Sequence, residues 1–160
     1  MTALAEILLV DDEPEFVAIL NQRLTKRNFR VTYAHSGRDA LAQLKGDKDI
    51  EVVLLDAKMP GLDGIETLKR IKKKWPLIEV IMLTGHSTLD SAVNAIQLGA
   101  FDYLLKPIDI EQLVSKIEKA AGRRRHRDQL ILEVYMKPYL SPRDREERIA
   151  KILNPEKKSN

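Results

Sequence analysis

Five short runs of aliphatic residues, separated by longer amphipathic segments, constrain the fold of this 160-residue chain more than any other feature. Each run is too short for a helix and is rich in Ile, Val and Leu. The runs are Glu6–Val10, Arg30–Ala34, Glu51–Leu55, Ile78–Leu83 and Phe101–Leu105. Strands buried on both faces of a parallel sheet show such continuous apolar runs, so the pattern predicts five parallel strands.

The segments between these runs have helical spacing, as Phe16, Leu20 and Leu24 show at intervals of four residues. Strand–helix alternation repeated five times predicts an α/β fold with a doubly wound parallel sheet flanked by five helices. We expect the flavodoxin-like strand order 2-1-3-4-5, in which the first and third strands are neighbours. Ser36 and Asp109 are expected to cap the second and fifth helices.

The pattern changes near residue 121, and we divide the chain into a domain at 1–121 and a basic helical extension at 122–160. Residues 1–120 carry a net charge of −2 and residues 121–160 a net charge of +5. The run Arg123–Arg127 is expected to prolong the fifth helix as a solvated face, with nucleic-acid binding as the less favoured alternative. Ser141 and Pro142 predict a further helix start.

Composition excludes several classes of protein. The chain contains no cysteine, which excludes a disulfide scaffold and thiol chemistry and fits a reducing compartment. Its aliphatic runs are too short for a transmembrane helix or a secretory signal, so we expect a cytoplasmic protein without membrane insertion. With 44% apolar residues, the chain has the composition of a globular protein.

Groups that carry chemistry follow four of the five predicted strands. Asp11 and Asp12 follow the first strand, Asp56 the third, Thr84 the fourth and Lys106 the fifth. Ligands of open α/β sheets bind at the carboxyl ends of the strands, so these side chains are expected at one edge. Taken singly, each has a structural interpretation as a cap or a solvated turn residue, but such interpretations do not explain why all occupy the same edge.

The predicted cluster suits phosphoryl chemistry. Closely packed carboxylates repel one another, and a hard divalent cation such as Mg²⁺ relieves this repulsion. One carboxylate can then attack phosphorus to give an aspartyl phosphate. A lysine and a hydroxyl supply the charge and the donor that a phosphoryl group requires.

Four sequence motifs together resemble the receiver domain of two-component response regulators. They are LLVDDEP at 8–14, LLDAKMPGLDG at 54–64, MLTGH at 82–86 and FDYLLKP at 101–107. The motifs span about 120 residues and have the spacing of the family. None of them is decisive alone, but the combination is specific.

The resemblance implies a role for each matched residue. Asp56 corresponds to the phosphoacceptor, and Asp11 and Asp12 to the acids that bind Mg²⁺ together with Asp56 and the backbone carbonyl of Lys58. Lys106 corresponds to the lysine that pairs with the phosphoryl group, and its bond to the following proline is expected to be cis.

The resemblance also implies a switch. Thr84 corresponds to the hydroxyl that moves to the phosphoryl group, and Tyr103 to the aromatic side chain that turns inward with it. Lys58 and His86, two residues after Asp56 and Thr84, occupy positions that tune the lifetime of the aspartyl phosphate. We hypothesise that they set that lifetime here.

The implied function is signalling. The phosphoryl donor would be a sensor histidine kinase or a phosphotransfer protein, and enzymatic activity would be limited to self-phosphorylation and autodephosphorylation. The output would be a downstream protein or a second copy, contacted through the fourth helix, fifth strand and fifth helix or through the extension.

Three alternatives stay open at the level of sequence. The first is a transcription regulator that binds DNA through the basic extension. The second is a phosphatase, although Lys58 replaces the second acid of the Asp-x-Asp pair that dehalogenase-type phosphatases use. The third is a receiver cut from a longer regulator at a linker helix.

Overall fold

The computed structural model describes residues 3–47, 49–85 and 89–155 and contains a five-stranded parallel sheet. The strand order is β2-β1-β3-β4-β5, which confirms the predicted doubly wound topology. The strands are β1 (Glu6–Val10), β2 (Arg30–Ala34), β3 (Val52–Asp56), β4 (Glu79–Thr84) and β5 (Asp102–Leu105). Each begins and ends within one residue of its predicted bounds.

Helices connect the strands and extend beyond them. They are α1 (Pro14–Lys26), α2 (Gly37–Gly46), α3 (Gly64–Lys74), α4 (Leu89–Gln97), α5 (Ile110–Tyr135) and α6 (Pro142–Leu153). The predicted caps are present, because the side chains of Ser36, Asp109 and Ser141 each accept a backbone N–H of the helix that follows. None of the helices in the described ranges is long and apolar enough to cross a membrane.

Alternate residues of the central strands pack into two separate cores. On one face, Leu9 and Leu54 pack with side chains of α1 and α5, such as Leu20 and Ile117. On the other face, Leu8, Val53 and Leu55 pack against α2, α3 and α4, because successive residues of a strand point to opposite faces of the sheet. Because both faces are covered, the strands are apolar throughout, and this is the origin of the sequence pattern.

Strand register places the expected site at one edge of the sheet. Val10 lies opposite Leu55 in β3, and Asp56 lies opposite Leu83 in β4. Thr84 lies opposite Leu105 in β5. The residues that end β1, β3, β4 and β5 therefore lie side by side, and the groups next to them share one rim.

The Arg123–Arg127 run prolongs α5, as expected, and Arg123, Arg125 and His126 are exposed, but several of its guanidinium groups contact the body. The Arg124 guanidinium donates to the carbonyl of Ile50 at 3.0 Å. Arg125 donates to both carboxylate oxygens of Glu51, at 2.7 and 3.0 Å. These side chains fasten the extended part of α5 to the body, so the division between residues 121 and 122, which falls inside this helix, stays a prediction.

A buried ion pair forms the deepest of these attachments. The Arg127 guanidinium donates to Glu79, the first residue of β4, at 2.6 Å, and the two side chains are only 6% and 1% exposed. Arg127 also donates to the backbone carbonyls of Pro76 and Leu153. One side chain thus links α5, the start of β4 and the end of α6.

Candidate functional site

Three carboxylates converge at the carboxyl edge of the sheet. One oxygen from each of Asp11, Asp12 and Asp56 lies within 4.8 Å of the others. Asp11 and Asp56 are buried, with 1% and 5% of their surface exposed. The backbone N–H of Glu13 donates to Asp11 Oδ1 at 2.9 Å and orients that carboxylate.

Lys106 supplies the positive charge that faces this cluster. Its Nζ lies 2.6 Å from Asp11 Oδ2 and 4.0 Å from Asp56 Oδ1. The backbone N–H of Lys106 donates to the carbonyl of Thr84, which ties β5 to the end of β4. The bond between Lys106 and Pro107 is cis, as the resemblance implied.

The carboxyl of Asp56 has an unusually high proton affinity. Its pKa is raised from 3.8 to about 6, first by burial and second by the negative charge of Asp11. Lys106 and the backbone N–H of Lys58, which donates to Asp56 Oδ1 at 3.4 Å, act in the opposite direction. The surroundings of Asp56 therefore penalise its charged form in the absence of a cation.

The turn after β3 depends on the absence of a side chain at Gly64. A Cβ at this position would lie 2.0 Å from the carbonyl oxygen of Asp56 and 2.7 Å from the Cα of Ala57. The φ of Gly64 does not lie in the left-handed region, unlike that of Gly61 at +77°. Its role is close approach, which brings the start of α3 against the backbone that carries Asp56.

Thr84 and Tyr103 lie beside the cluster on neighbouring strands. Thr84 ends β4 and is 1% exposed. Tyr103 lies opposite Met82, and its buried hydroxyl has no hydrogen-bond partner among the described residues. Tyr103, Gly85 and Lys106 line an open cavity of about 740 Å³. Of the two expected switch residues, Tyr103 lines this cavity and Thr84 directly precedes Gly85 of its lining, while their roles stay predictions.

The other two residues expected at the site are Lys58 and His86. Lys58 is exposed and lies next to the cluster, but its side chain as a lifetime determinant and its carbonyl as a metal ligand remain predictions. His86 lies outside the described residues.

Three contacts of the site were not anticipated from the sequence. The ring of Phe16 lies 4.1 Å from Lys106 Nζ, and Glu13 Oε1 lies 3.9 Å from the same atom. His35 is exposed and places Nδ1 3.1 Å from the backbone carbonyl of Asp11. Its position directly after β2, at the carboxyl edge, is the signal that could have identified it.

The donor set fits a hard divalent cation. Asp11, Asp12 and Asp56 carry three negative charges, and Lys106 offsets one of them. Carboxylate oxygens with room for water are the ligands that Mg²⁺ prefers. The three carboxylates therefore form a group that could hold a metal ion.

The fold and the site together define a class of protein, namely a doubly wound α/β domain with an acidic pocket and a lysine at the carboxyl edge. The family model described as the response regulator receiver domain matches residues 7–118. The chain therefore belongs to the response regulator receiver domain family of two-component systems. The matched region ends inside α5.

Curated relatives share the same part of the chain. Transcriptional regulatory protein ZraR of Salmonella typhimurium is 42% identical over 120 residues, which are 75% of this chain and 27% of that protein. DNA-binding transcriptional regulator NtrC of Klebsiella pneumoniae is 40% identical over 121 residues, or 76% and 26% of the two chains. This chain thus matches only about a quarter of the length of these relatives.

Solved structures show the same fold. A response regulator receiver domain protein from Clostridium thermocellum is 38% identical with a TM-score of 0.73, and the match covers 76% of this chain and 97% of that one. The chemotaxis protein CheY4 of Vibrio cholerae is 26% identical with a TM-score of 0.69, covering 74% and 99%.

Proposed function

We propose that this protein is a phosphoacceptor of two-component signalling, in which Asp56 receives a phosphoryl group from a sensor histidine kinase or a phosphotransfer protein. The observation that supports this most strongly is the convergence of Asp11, Asp12, Asp56 and Lys106 from three strand ends. A cytoplasmic location accords with such a partner.

The transfer requires little covalent chemistry from the protein. A carboxylate oxygen of Asp56 attacks phosphorus as the bond from phosphorus to the donor imidazole breaks, and the imidazole leaves with the bonding electrons. Asp11, Asp12 and Asp56 would hold Mg²⁺, which supplies charge neutralisation for the phosphoryl oxygens when bound. The backbone carbonyl of Lys58 would complete the protein ligands.

Lys106 has to change partners during this process. In the structure its ammonium pairs with Asp11 at 2.6 Å and lies farther from Asp56. With Asp11 engaged as a metal ligand, the Lys106 ammonium would be free to pair with a phosphoryl oxygen on Asp56. The Phe16 ring, whose centroid lies 4.1 Å from Lys106 Nζ, would help to hold the ammonium at the site, because a cation over an aromatic face is attracted to it.

The signal is then carried by a change in population between two states. The Thr84 hydroxyl would donate a hydrogen bond to the phosphoryl group, and the Tyr103 side chain would turn into the space that the Thr84 side chain leaves. The altered face of α4, β5 and α5 would then contact a downstream protein or a second copy. Lys58 and His86 would tune the lifetime of the phosphoryl group.

Intact-mass measurement after incubation with acetyl phosphate and Mg²⁺ tests the proposal. Wild type is expected to gain one phosphoryl group, and Asp56→Asn none. Asp49→Asn, which removes an exposed carboxylate elsewhere, is the matched control and is expected to behave like wild type. Modification of Asp56→Asn to the wild-type extent would contradict the assignment.

The printed names of the relatives favour DNA binding as a second candidate output. Both relatives are named as transcription regulators, although this chain matches only about a quarter of their length. Arg124, Arg125 and Arg127 pair with the body, which argues against the arginine run as the DNA contact. A duplex mobility shift that weakens steeply with salt would support DNA binding.

A further inference from the structure

A group of lysines without ion-pair partners among the described residues surrounds Trp75. Lys45, Lys73 and Lys74 are exposed and form no ion pair with another described residue. Lys74 Nζ lies 5.1 Å from the centroid of the Trp75 ring. Arg70 adds a further cation, paired with Glu66 at 3.5 Å. This surface, where α2 and α3 end, therefore carries an excess of positive charge.

Trp75 separates two open grooves in the same surface. It lines both of them, together with Lys45 and Lys74. The first groove, of about 530 Å³, lies between α2 and α3 and includes Leu41. The second, of about 380 Å³, reaches toward the end of α6. Its lining is mainly aliphatic, with Leu44, Ile50, Leu77, Ile78, Ile131 and Leu153. It also includes Arg124 and one carboxylate, that of Asp47, which the cations lining the two grooves outnumber.

The grooves lie at the opposite edge of the sheet from Asp56. Ile50 and Ile78 precede β3 and β4, whereas Asp56 and Thr84 end those strands. A strand of five residues spans about 17 Å. A ligand in the grooves would thus leave the carboxylate cluster accessible.

We propose that these two grooves bind an acidic amphipathic segment of a partner protein. Its apolar side chains would fill the grooves on either side of Trp75, and its carboxylates would face Lys45, Lys73 and Lys74. The function is distinct from phosphoryl transfer and does not depend on it. Apolar surface supplies affinity in such a complex, and charge complementarity supplies selectivity and a faster association rate.

Several features favour a peptide over other anionic partners. Single-stranded nucleic acids bind through successive aromatic platforms, and Trp75 is the one aromatic side chain among the described residues that line either groove. The remaining apolar lining is aliphatic and concave, which suits Leu or Ile side chains. A membrane surface is contacted by protruding apolar side chains, whereas these lie in depressions.

Trp75 provides a direct measurement because it is the sole tryptophan of the chain. The probe is a peptide without tryptophan that carries Glu on one helical face and Leu on the other. Titration of the 160-residue chain is expected to shift Trp75 emission to shorter wavelength as the ring is covered. A peptide with Ser in place of Leu and a single-stranded oligothymidine are the comparison ligands.

Charge reversal distinguishes this surface from general attraction to a basic protein. Lys73→Glu combined with Lys74→Glu is expected to weaken binding at least about tenfold, because the peptide carboxylates would then face like charges. The matched control reverses Lys26 and Lys119, which are exposed on α1 and α5, and is expected to retain wild-type affinity.

Four results would overturn the proposal. The first three are an unchanged Trp75 emission at saturating peptide, equal weakening by the two double substitutions, and tighter binding of oligothymidine than of the Glu–Leu peptide. Equal binding of the Ser-containing peptide would also overturn it, since the grooves would then contribute nothing. Circular dichroism of each variant confirms that it is folded.

Discussion

Replacement of Asp56 by Asn is expected to stabilise the protein at neutral pH in the absence of divalent cations. Asp56 is 5% exposed and lies beside two other carboxylates, so its charged form is penalised in the folded state. Asn preserves the approximate shape of the side chain and removes the charge. The same substitution removes the proposed phosphoacceptor, so stability and phosphorylation should change in opposite directions.

The magnitude follows from the pKa of Asp56, which rises from 3.8 to about 6 on folding. At about 1.36 kcal/mol per pKa unit, this rise sets a ceiling of about 3 kcal/mol on the stabilisation. Below pH 3.8 Asp56 is protonated in both the folded and the unfolded state, so the penalty for burying its charge is absent. Between pH 3.8 and about 6 the folded state retains a proton that the unfolded state releases, so wild type loses stability as pH rises.

The assay is urea denaturation in EDTA at several pH values between 4.5 and 7.5. The advantage of Asp56→Asn should grow across this range and reach about 1–3 kcal/mol above pH 6. Asp49→Asn, an exposed carboxylate, is expected to show no such growth. Added Mg²⁺ should reduce the difference, because it stabilises wild type by binding the folded state. An Asp56→Asn variant that is no more stable than wild type above pH 6 would refute the reasoning.

Three further predictions concern packing and charge. Gly64→Ala is expected to lower the free energy of unfolding by about 1–3 kcal/mol and to slow modification by acetyl phosphate, because its Cβ would displace the backbone at Asp56. Denaturation measures the change in stability, and intact mass measures the rate of modification. Arg127→Met should lower the free energy of unfolding by about 3–5 kcal/mol, because buried Glu79 loses its hydrogen-bonded cation and keeps only Arg123 at 3.6 Å. Glu79→Leu combined with Arg127→Met should recover most of the loss in a double-mutant cycle. Burial lowers the pKa of Lys72 to about 8, so the free energy of unfolding should rise with pH between about 8 and 10, and Lys72→Met should flatten that slope in denaturation curves.

The strands and their order could be predicted because both faces of the sheet are covered. Burial on both sides makes each strand continuously apolar, as Leu8 and Leu9 show by packing into opposite cores. The same topology places the carboxyl ends of β1, β3, β4 and β5 together. The sequence alone therefore predicts that Asp56 and Lys106 lie at one edge of the sheet.

Other features depend on long-range contacts that local patterns do not encode. A run of cations indicates a solvated face, yet Arg127 is buried because Glu79, 48 positions earlier, lies at the start of β4. Phe16 fits the apolar stripe of α1, and only the fold shows its ring beside Lys106. Gly64 indicates a turn, but its close approach to the Asp56 carbonyl is a property of the packed α3.

The most direct test of the central claim is to locate the phosphoryl group chemically. Borohydride reduces an aspartyl phosphate to homoserine, and tandem mass spectrometry of the digested protein identifies the position. After treatment with acetyl phosphate and Mg²⁺, we expect homoserine at position 56 alone. Homoserine at Asp11 or Asp12, or an unreduced phosphoryl group on another residue type, would contradict the assignment of Asp56 as the acceptor.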